Sequence, residues 1–178
     1  MHSFTLSAAL FAAVSAATNI VTFKSLDNVD RTVYITANAG IQGHDPVTVS
    51  AGTSVDVELV DGFVGNAYAI HSGSSNNVGM LAEFNFQGWN DLTYFDVSAI
   101  INSADVDNVS EMYPYGESSS PVSGCTSWPC NNAYYHADDV QTKSTSQTHL
   151  IVTLSKNNYA AISKRETESV GRRFLERI

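Results

Sequence analysis

Residues 80–100 read MLAEFNFQGWNDLTYFDVSAI, two alternating apolar runs joined by a polar turn, with one acid in each run: Glu83 and Asp96. Successive side chains of a strand point to opposite faces. Met80, Ala82, Phe84 and Phe86 therefore share one face, and Leu81, Glu83 and Asn85 the other. Beyond the turn, Phe95 and Val97 oppose Tyr94, Asp96 and Ser98. Both carboxylates leave the apolar face of their strand, and pairing of the two strands would set them on one surface beside Tyr94.

The same period of two recurs along the chain. In VDVELV at 55–60, Val55, Val57 and Leu59 oppose Asp56 and Glu58. NIVTFK at 19–24, RTVYIT at 31–36, AYAIH at 67–71 and HLIVTL at 149–154 continue the style, and turn-rich pieces such as Asp61-Gly62, SGSSNN at 72–77 and YGESSSPVSG at 115–124 separate them. No capped helix-period run lies between residues 18 and 163. Short strands and turns at this spacing predict an all-β fold, an antiparallel β-sandwich.

Both ends differ from the body. The first seventeen residues, MHSFTLSAALFAAVSAA, carry no charged side chain, have an apolar run too short to span a bilayer, and finish in small residues, so they read as a secretory signal peptide. No later run approaches the ~20 apolar residues of a membrane helix, and a secreted, extracellular monomer without membrane contact is expected. Residues 164–178, KRETESVGRRFLERI, hold five bases and three acids and open on the dibasic Lys164-Arg165, which reads either as a processing site releasing a basic propeptide or as an exposed C-terminus. The body, 18–163, holds four bases and fifteen acids, a net charge of −11. It is long enough for one domain. Nucleic acid is excluded as a partner on this balance, because binding to phosphates rests on clustered Lys and Arg.

Two cysteines, Cys125 and Cys130, are expected to pair with each other in an oxidising compartment. Asn108-Val109-Ser110 is a glycosylation sequon, expected on a surface loop. His44-Asp45, His71, His136 and Asp138-Asp139 offer metal ligands, but without the spacing of a metal site; no metal and no cofactor are expected.

LAEFNF followed by TYFDVSAI resembles the thaumatin-like proteins, and CNNAYYHADD at 130–139 is similar to that family's second motif. TNIVTFKSLDNVDRTVYIT and VTVSAGTSVDVEL resemble its opening strands. Together these cover most of residues 18–154, and the pattern is most similar to the small secreted members of filamentous fungi, a group often labelled "DNase1 protein". The resemblance implies a β-sandwich with a reduced second domain, since only residues 101–129 separate the two motifs, and an acidic cleft of one Arg, one Glu and three Asp that binds β-1,3-glucan. Glu83 matches the cleft Glu and Asp96 the first Asp. The second Asp falls on Ile101 and is lost; the Arg falls near Ile70 or His71, where His71 is the one substitute. Asn131 and Asn132 stand where the last Asp is expected, while Asp138 and Asp139 match a following acidic pair.

Three functions follow. A carbohydrate-binding face would combine the carboxylates with aromatic rings that cover the apolar sides of sugars; its candidates are Glu83, Asp96, Tyr94, Trp89, Asp138, Asp139 and His71, with Tyr134 and Tyr135 either on that face or in the core, and cell-wall polysaccharide such as β-1,3-glucan is its partner. A weak glycoside hydrolase would use Glu83 as proton donor and Asp96 as its partner, but it needs a walled groove, and the shortened 101–129 segment removes a wall. A structural or antigenic protein, or effector, would keep the fold without a cleft. Glu83 and Asp96 would then be braces accepting hydrogen bonds from backbone amides or from Arg31, with depressed pKa values.

Overall fold

The computed structural model describes residues 18–117 and 121–157; the signal-peptide and C-terminal expectations lie outside the described residues. The alternating runs become β1 (Asn19–Ser25), β2 (Arg31–Ala37), β4 (Ser54–Leu59), β5 (Val64–His71), β6 (Leu81–Asn85), β7 (Thr93–Ser98) and β11 (His149–Leu154). Four further strands complete the described fold: β3 (His44–Val49), β8 (Val109–Pro114), β9 (Ser123–Gly124) and β10 (Lys143–Thr145). One sheet runs β4-β1-β11-β8-β9 and the other β10-β7-β6-β5-β2-β3. Between them lies a single apolar core in which Val21, Phe23, Val57, Leu150 and Val152 of the first sheet meet Val33, Ala67, Phe84, Phe95 and Val97 of the second. The expected all-β sandwich is therefore present.

Two features add detail to the expectation. β1 pairs with β11 in parallel, while the other named pairs are antiparallel. These are the first and last described strands, so no tight turn joins them and none dictates their direction. Residues 101–129 are no separate lobe among the described residues: they place β8 and β9 in the five-stranded sheet. VSEMYP conceals this because its core-facing positions include Ser110, whose hydroxyl bonds that of Ser155 at 2.6 Å, while Tyr113 points outward. β3 carries Pro46 and lies at a sheet edge, the position where a missing N–H is tolerated.

Beyond the core, polar side chains tie the sheets together. Gln87, at φ 50°, receives a hydrogen bond on Oε1 from Asn19 Nδ2 (3.0 Å) and from Gly62 N–H (2.8 Å), and donates from Nε2 to Asn19 Oδ1 (2.8 Å). Asn19 is fully buried on β1. Gln87→Ala leaves its amide short of partners, and a loss of about 1 kcal/mol in urea denaturation is expected.

Cys125 and Cys130 form the expected disulfide. Trp128, inside that loop, is buried and meets Tyr135 edge to face at a centroid distance of 6.4 Å.

Candidate functional site

The hairpin quoted at the outset decides the geometry. Its turn holds Gln87, Asn90 and Asp91 at positive φ, and the register it imposes sets Leu81 opposite Ser98, Glu83 opposite Asp96 and Asn85 opposite Tyr94. On the other side of β6, Asn66 stands opposite Glu83. One row across the outer face of the six-stranded sheet thus reads Asn66, Glu83, Asp96. Directly opposed residues on paired strands sit within side-chain contact. The two acids line a groove of about 280 Å³ together with Asn38, Asn66, Asn85, Tyr94 and Thr142. Gly65, also in its lining, has no room for a Cβ, which would collide with the Thr36 carbonyl.

Asp96 is the deeper acid, 8% exposed, and its Oδ1 is shut from solvent without a hydrogen-bond donor other than what Glu83 can supply. Its Oδ2 accepts from Thr142 Oγ1 at 3.1 Å. Glu83 is half-buried above it. Burial first, then the negative charge of Asp96 and the hydrogen bond between the two carboxyls, push Glu83 up to about 7. Burial raises Asp96 as well, and the hydrogen bonds from Glu83 and Thr142 and the charge of Lys143 act against that rise. The physical picture is two carboxyls that share one proton, because both cannot ionise cheaply side by side in a half-buried place. This is opposite in direction to the depressed values of a brace. Arg31, offered as the bracing base, is engaged in the core with Asp27 and does not reach the pair.

Thr142 links the groove to the second motif. The backbone of Tyr134 is fixed to the end of β7, with Tyr134 N–H donating to Val97 O (2.9 Å) and Ala99 N–H to Tyr134 O (2.7 Å). Its hydroxyl then meets Thr142 Oγ1 at 2.8 Å, giving a chain from Tyr134 through Thr142 to Asp96. CNNAYYHADD therefore serves the groove through Tyr134 rather than through its acids.

The remaining candidates lie elsewhere. Asp139 Oδ2 accepts from Tyr135 N–H (2.8 Å) and His136 N–H (2.9 Å), bonds that lower its pKa, and it lines a separate cavity of about 440 Å³ with Cys130, Tyr135 and His136. Asp138 is exposed in the same loop and is not in the groove. His71 belongs with the core-facing Ala67 and Ala69 of β5 and lines a third cavity with Asp105 and Asp107, so it does not replace the missing Arg. Trp89 is 76% exposed, as its turn position implied; it touches the site's rim only through its carbonyl, which accepts from Tyr94 Oη at 3.2 Å. Asn108 corrects the glycosylation expectation: it is 8% exposed, its Oδ1 accepts from Arg31 Nε, and its Nδ2, the atom a glycan would need, donates to Asp105 Oδ1. The reading of residues 80–100 missed Asn66, Asn38 and Thr142. Asn66 was open to it, since extending AYAIH back to Val64 puts Asn66 on the outward face with Tyr68 and Ile70.

No protein-family model matches the chain. It is 49% identical over 134 residues to the antigenic protein SchS21 of Stachybotrys chartarum, an alignment covering 75% of this chain and 92% of that protein. Among solved structures, the protein elicitor MoHrip2 of Magnaporthe oryzae superposes with a TM-score of 0.55 at 12% identity, over 77% of this chain and 98% of that one, which shows a shared fold. The thaumatin-like xylanase inhibitor TLXI aligns over 74% of this chain and 97% of its own, at 13% identity and a TM-score of 0.44. The nuclease label attached to similar small fungal proteins has no counterpart in these relatives. With half its aligned residues shared across nearly the whole of that relative, the chain belongs to the family of the antigenic protein SchS21.

Proposed function

We propose that this chain is a secreted thaumatin-like protein that binds a cell-wall carbohydrate such as β-1,3-glucan through the groove on its six-stranded sheet. The observation that carries the reading is the row Asn66, Glu83 and Asp96, directly opposed on adjacent strands and flanked by Asn85 and Tyr94. Amides and a carboxyl pair holding one proton both donate and accept, which suits neighbouring sugar hydroxyls, and a tyrosine ring at the rim covers an apolar sugar face. The leader-like N-terminal sequence and the disulfide support an extracellular setting.

Binding is favoured over hydrolysis by the contact between the carboxyls. A retaining glycosidase holds its pair about 5–5.5 Å apart and an inverting one further, to admit the sugar carbon or a water. Glu83 and Asp96 stand directly opposed on paired strands, where the charge of Asp96 acts on Glu83, an arrangement that suits sharing a proton better than admitting a sugar carbon between them. The second reading, an antigenic surface protein without a ligand, is favoured by the relative that gives the family its name.

A pull-down on insoluble β-1,3-glucan beside a reducing-sugar assay tests all of these. The expected result is retention on the polymer without sugar release. Release would establish a hydrolase. Neither retention nor release, repeated across other wall polysaccharides, would leave the antigen alone.

A further inference from the structure

We propose that the groove prefers a sugar carrying a protonated amine, so that its polysaccharide is a polymer of amino sugars with free amines rather than a neutral glucan. This rests on the carbohydrate-binding reading above and names the substrate class of that site.

The inference comes from where the bases are. Residues 18–163 contain four: Lys24, Arg31, Lys143 and Lys156. Arg31 is fully buried, with both terminal nitrogens at 2.8 Å from the Asp27 carboxylate. Lys24 lies on β1 in the opposite sheet. Lys156 follows β11, also of that sheet, and its N–H reaches Asp27. Lys143 alone stands near the pair, on the edge strand β10. It is in register with the core-facing Phe95, however, so its side chain leaves β10 on the opposite side from Asp96. Tyr94 and Thr142 complete the groove's rim and bring no positive charge. The site is thus a carboxyl pair whose deeper member is nine-tenths buried, with an oxygen shut from solvent and, among the described residues, no cation lying on it. His71, standing near where a related cleft is expected to hold its Arg, faces the core end of β5 instead.

Carboxyls kept close, with the charge of Lys143 near them but its side chain leaving on the other side of the sheet, repel each other, and the proton between them is the main relief the protein itself provides. A ligand ammonium relieves them better: it donates charge-assisted hydrogen bonds to the outer carboxylate of Glu83, its charge acts on Asp96 beneath, and it displaces the shared proton to solvent. A neutral sugar hydroxyl cannot do this. The rim ring of Tyr94 adds a face that attracts a cation. The surrounding net charge of −11 draws polycations toward the groove.

The test uses the secreted, processed protein and four six-residue probes by isothermal titration calorimetry near pH 6: the β-1,4-glucosamine hexamer, its N-acetylated counterpart, the β-1,3-glucose hexamer and hexalysine. The glucosamine hexamer is expected to bind at least about tenfold more tightly than either neutral sugar and than hexalysine, a difference of about 1.4 kcal/mol. Measurements in two buffers of different ionisation heat should show proton release with the amine sugar alone. Glu83→Gln should remove the preference and the proton release. Asn66→Ala, which leaves the charge in place, should weaken all three sugars together.

Equal binding of the three sugars would overturn the amine preference while leaving the carbohydrate reading intact. Hexalysine binding as tightly as the glucosamine hexamer would overturn it too, showing charge attraction without sugar recognition. Binding of no sugar would bring down the carbohydrate reading and the preference with it.

Discussion

Replacing Arg31 by methionine is expected to destabilise the folded protein by about 3–5 kcal/mol, the cost of leaving a buried charge without its partner. Arg31 is fully buried. Its NH1 and NH2 grip the two oxygens of Asp27, NH2 also donates to Asp107 O (2.8 Å), NH1 to Val29 O (3.3 Å), and Nε to Asn108 Oδ1 (3.2 Å). Asp27 in turn accepts from Val29 N–H (3.0 Å) and Lys156 N–H (2.7 Å). The ion pair thereby joins the turn after β1, the segment before β8 and, through Asp27, the end of β11. Methionine fills much of the volume but strands Asp27, Asn108 and two carbonyls.

The pH dependence identifies the cause. Burial alone would raise Asp27, but the hydrogen bonds and charge of Arg31, with the two backbone donors, outweigh it and hold the carboxyl below its ordinary 3.8. A depressed folded value contributes stability above the unfolded value that is lost as pH falls through the folded one. In the methionine variant that depression disappears, and protonating Asp27 becomes a relief. The gap between the two proteins should therefore be widest near neutral pH and shrink below about pH 4. Denaturant midpoints measured from pH 3 to 7 check this. A gap under 1 kcal/mol, or one indifferent to pH, would show that packing rather than charge pairing governs the site.

The pairing of Arg31 with Asp27 also marks where reading the chain runs out. Alternation is a local signal, so it correctly turned Glu83 and Asp96 out of the core and Phe84 and Phe95 into it. Direct opposition of Glu83 and Asp96 is a matter of register, and that depends on left-handed backbone at Gln87, Asn90 and Asp91, which no apolar pattern announces. Asp27 and Arg31 are four residues apart, a spacing that says nothing outside a helix; only the turn between β1 and β2 folds them together. Thr142 reaches Asp96 across 46 residues and carries no motif of its own. The errors have a different origin. His71 was placed with the acids by correspondence to a family position, although AYAIH itself sets it on the face of Ala67 and Ala69. Asn108 was read from a three-residue sequon, and such a motif does not register that its amide is needed inside.

Glu83→Gln should stabilise the protein at alkaline pH while weakening the polysaccharide binding proposed above by about tenfold or more. The folded value of about 7 lies above the ordinary 4.5, so folding favours the protonated form. For an acid raised in this way the penalty is absent below the unfolded value, grows between about pH 4.5 and 7, and is complete above the folded value. The full shift would amount to about 3 kcal/mol. Glu83 is only half-buried, however, and solvent screening reduces this to about 1 kcal/mol. Glutamine has the shape of the protonated acid, and its amide donates permanently to Asp96, so the variant escapes the penalty. Wild type and variant should unfold at the same denaturant concentration at pH 4, with the variant ahead at pH 8. A structural brace makes the contrary forecast, since removing an ionised hydrogen-bond acceptor weakens the fold wherever that acceptor is charged. Loss of stability at pH 8 would thus convert Glu83 from a ligand-binding group into part of the frame. Gain of stability with loss of binding is what a site held under electrostatic strain for a ligand must show, because the strain is relieved either by the partner it awaits or by the mutation that removes the charge.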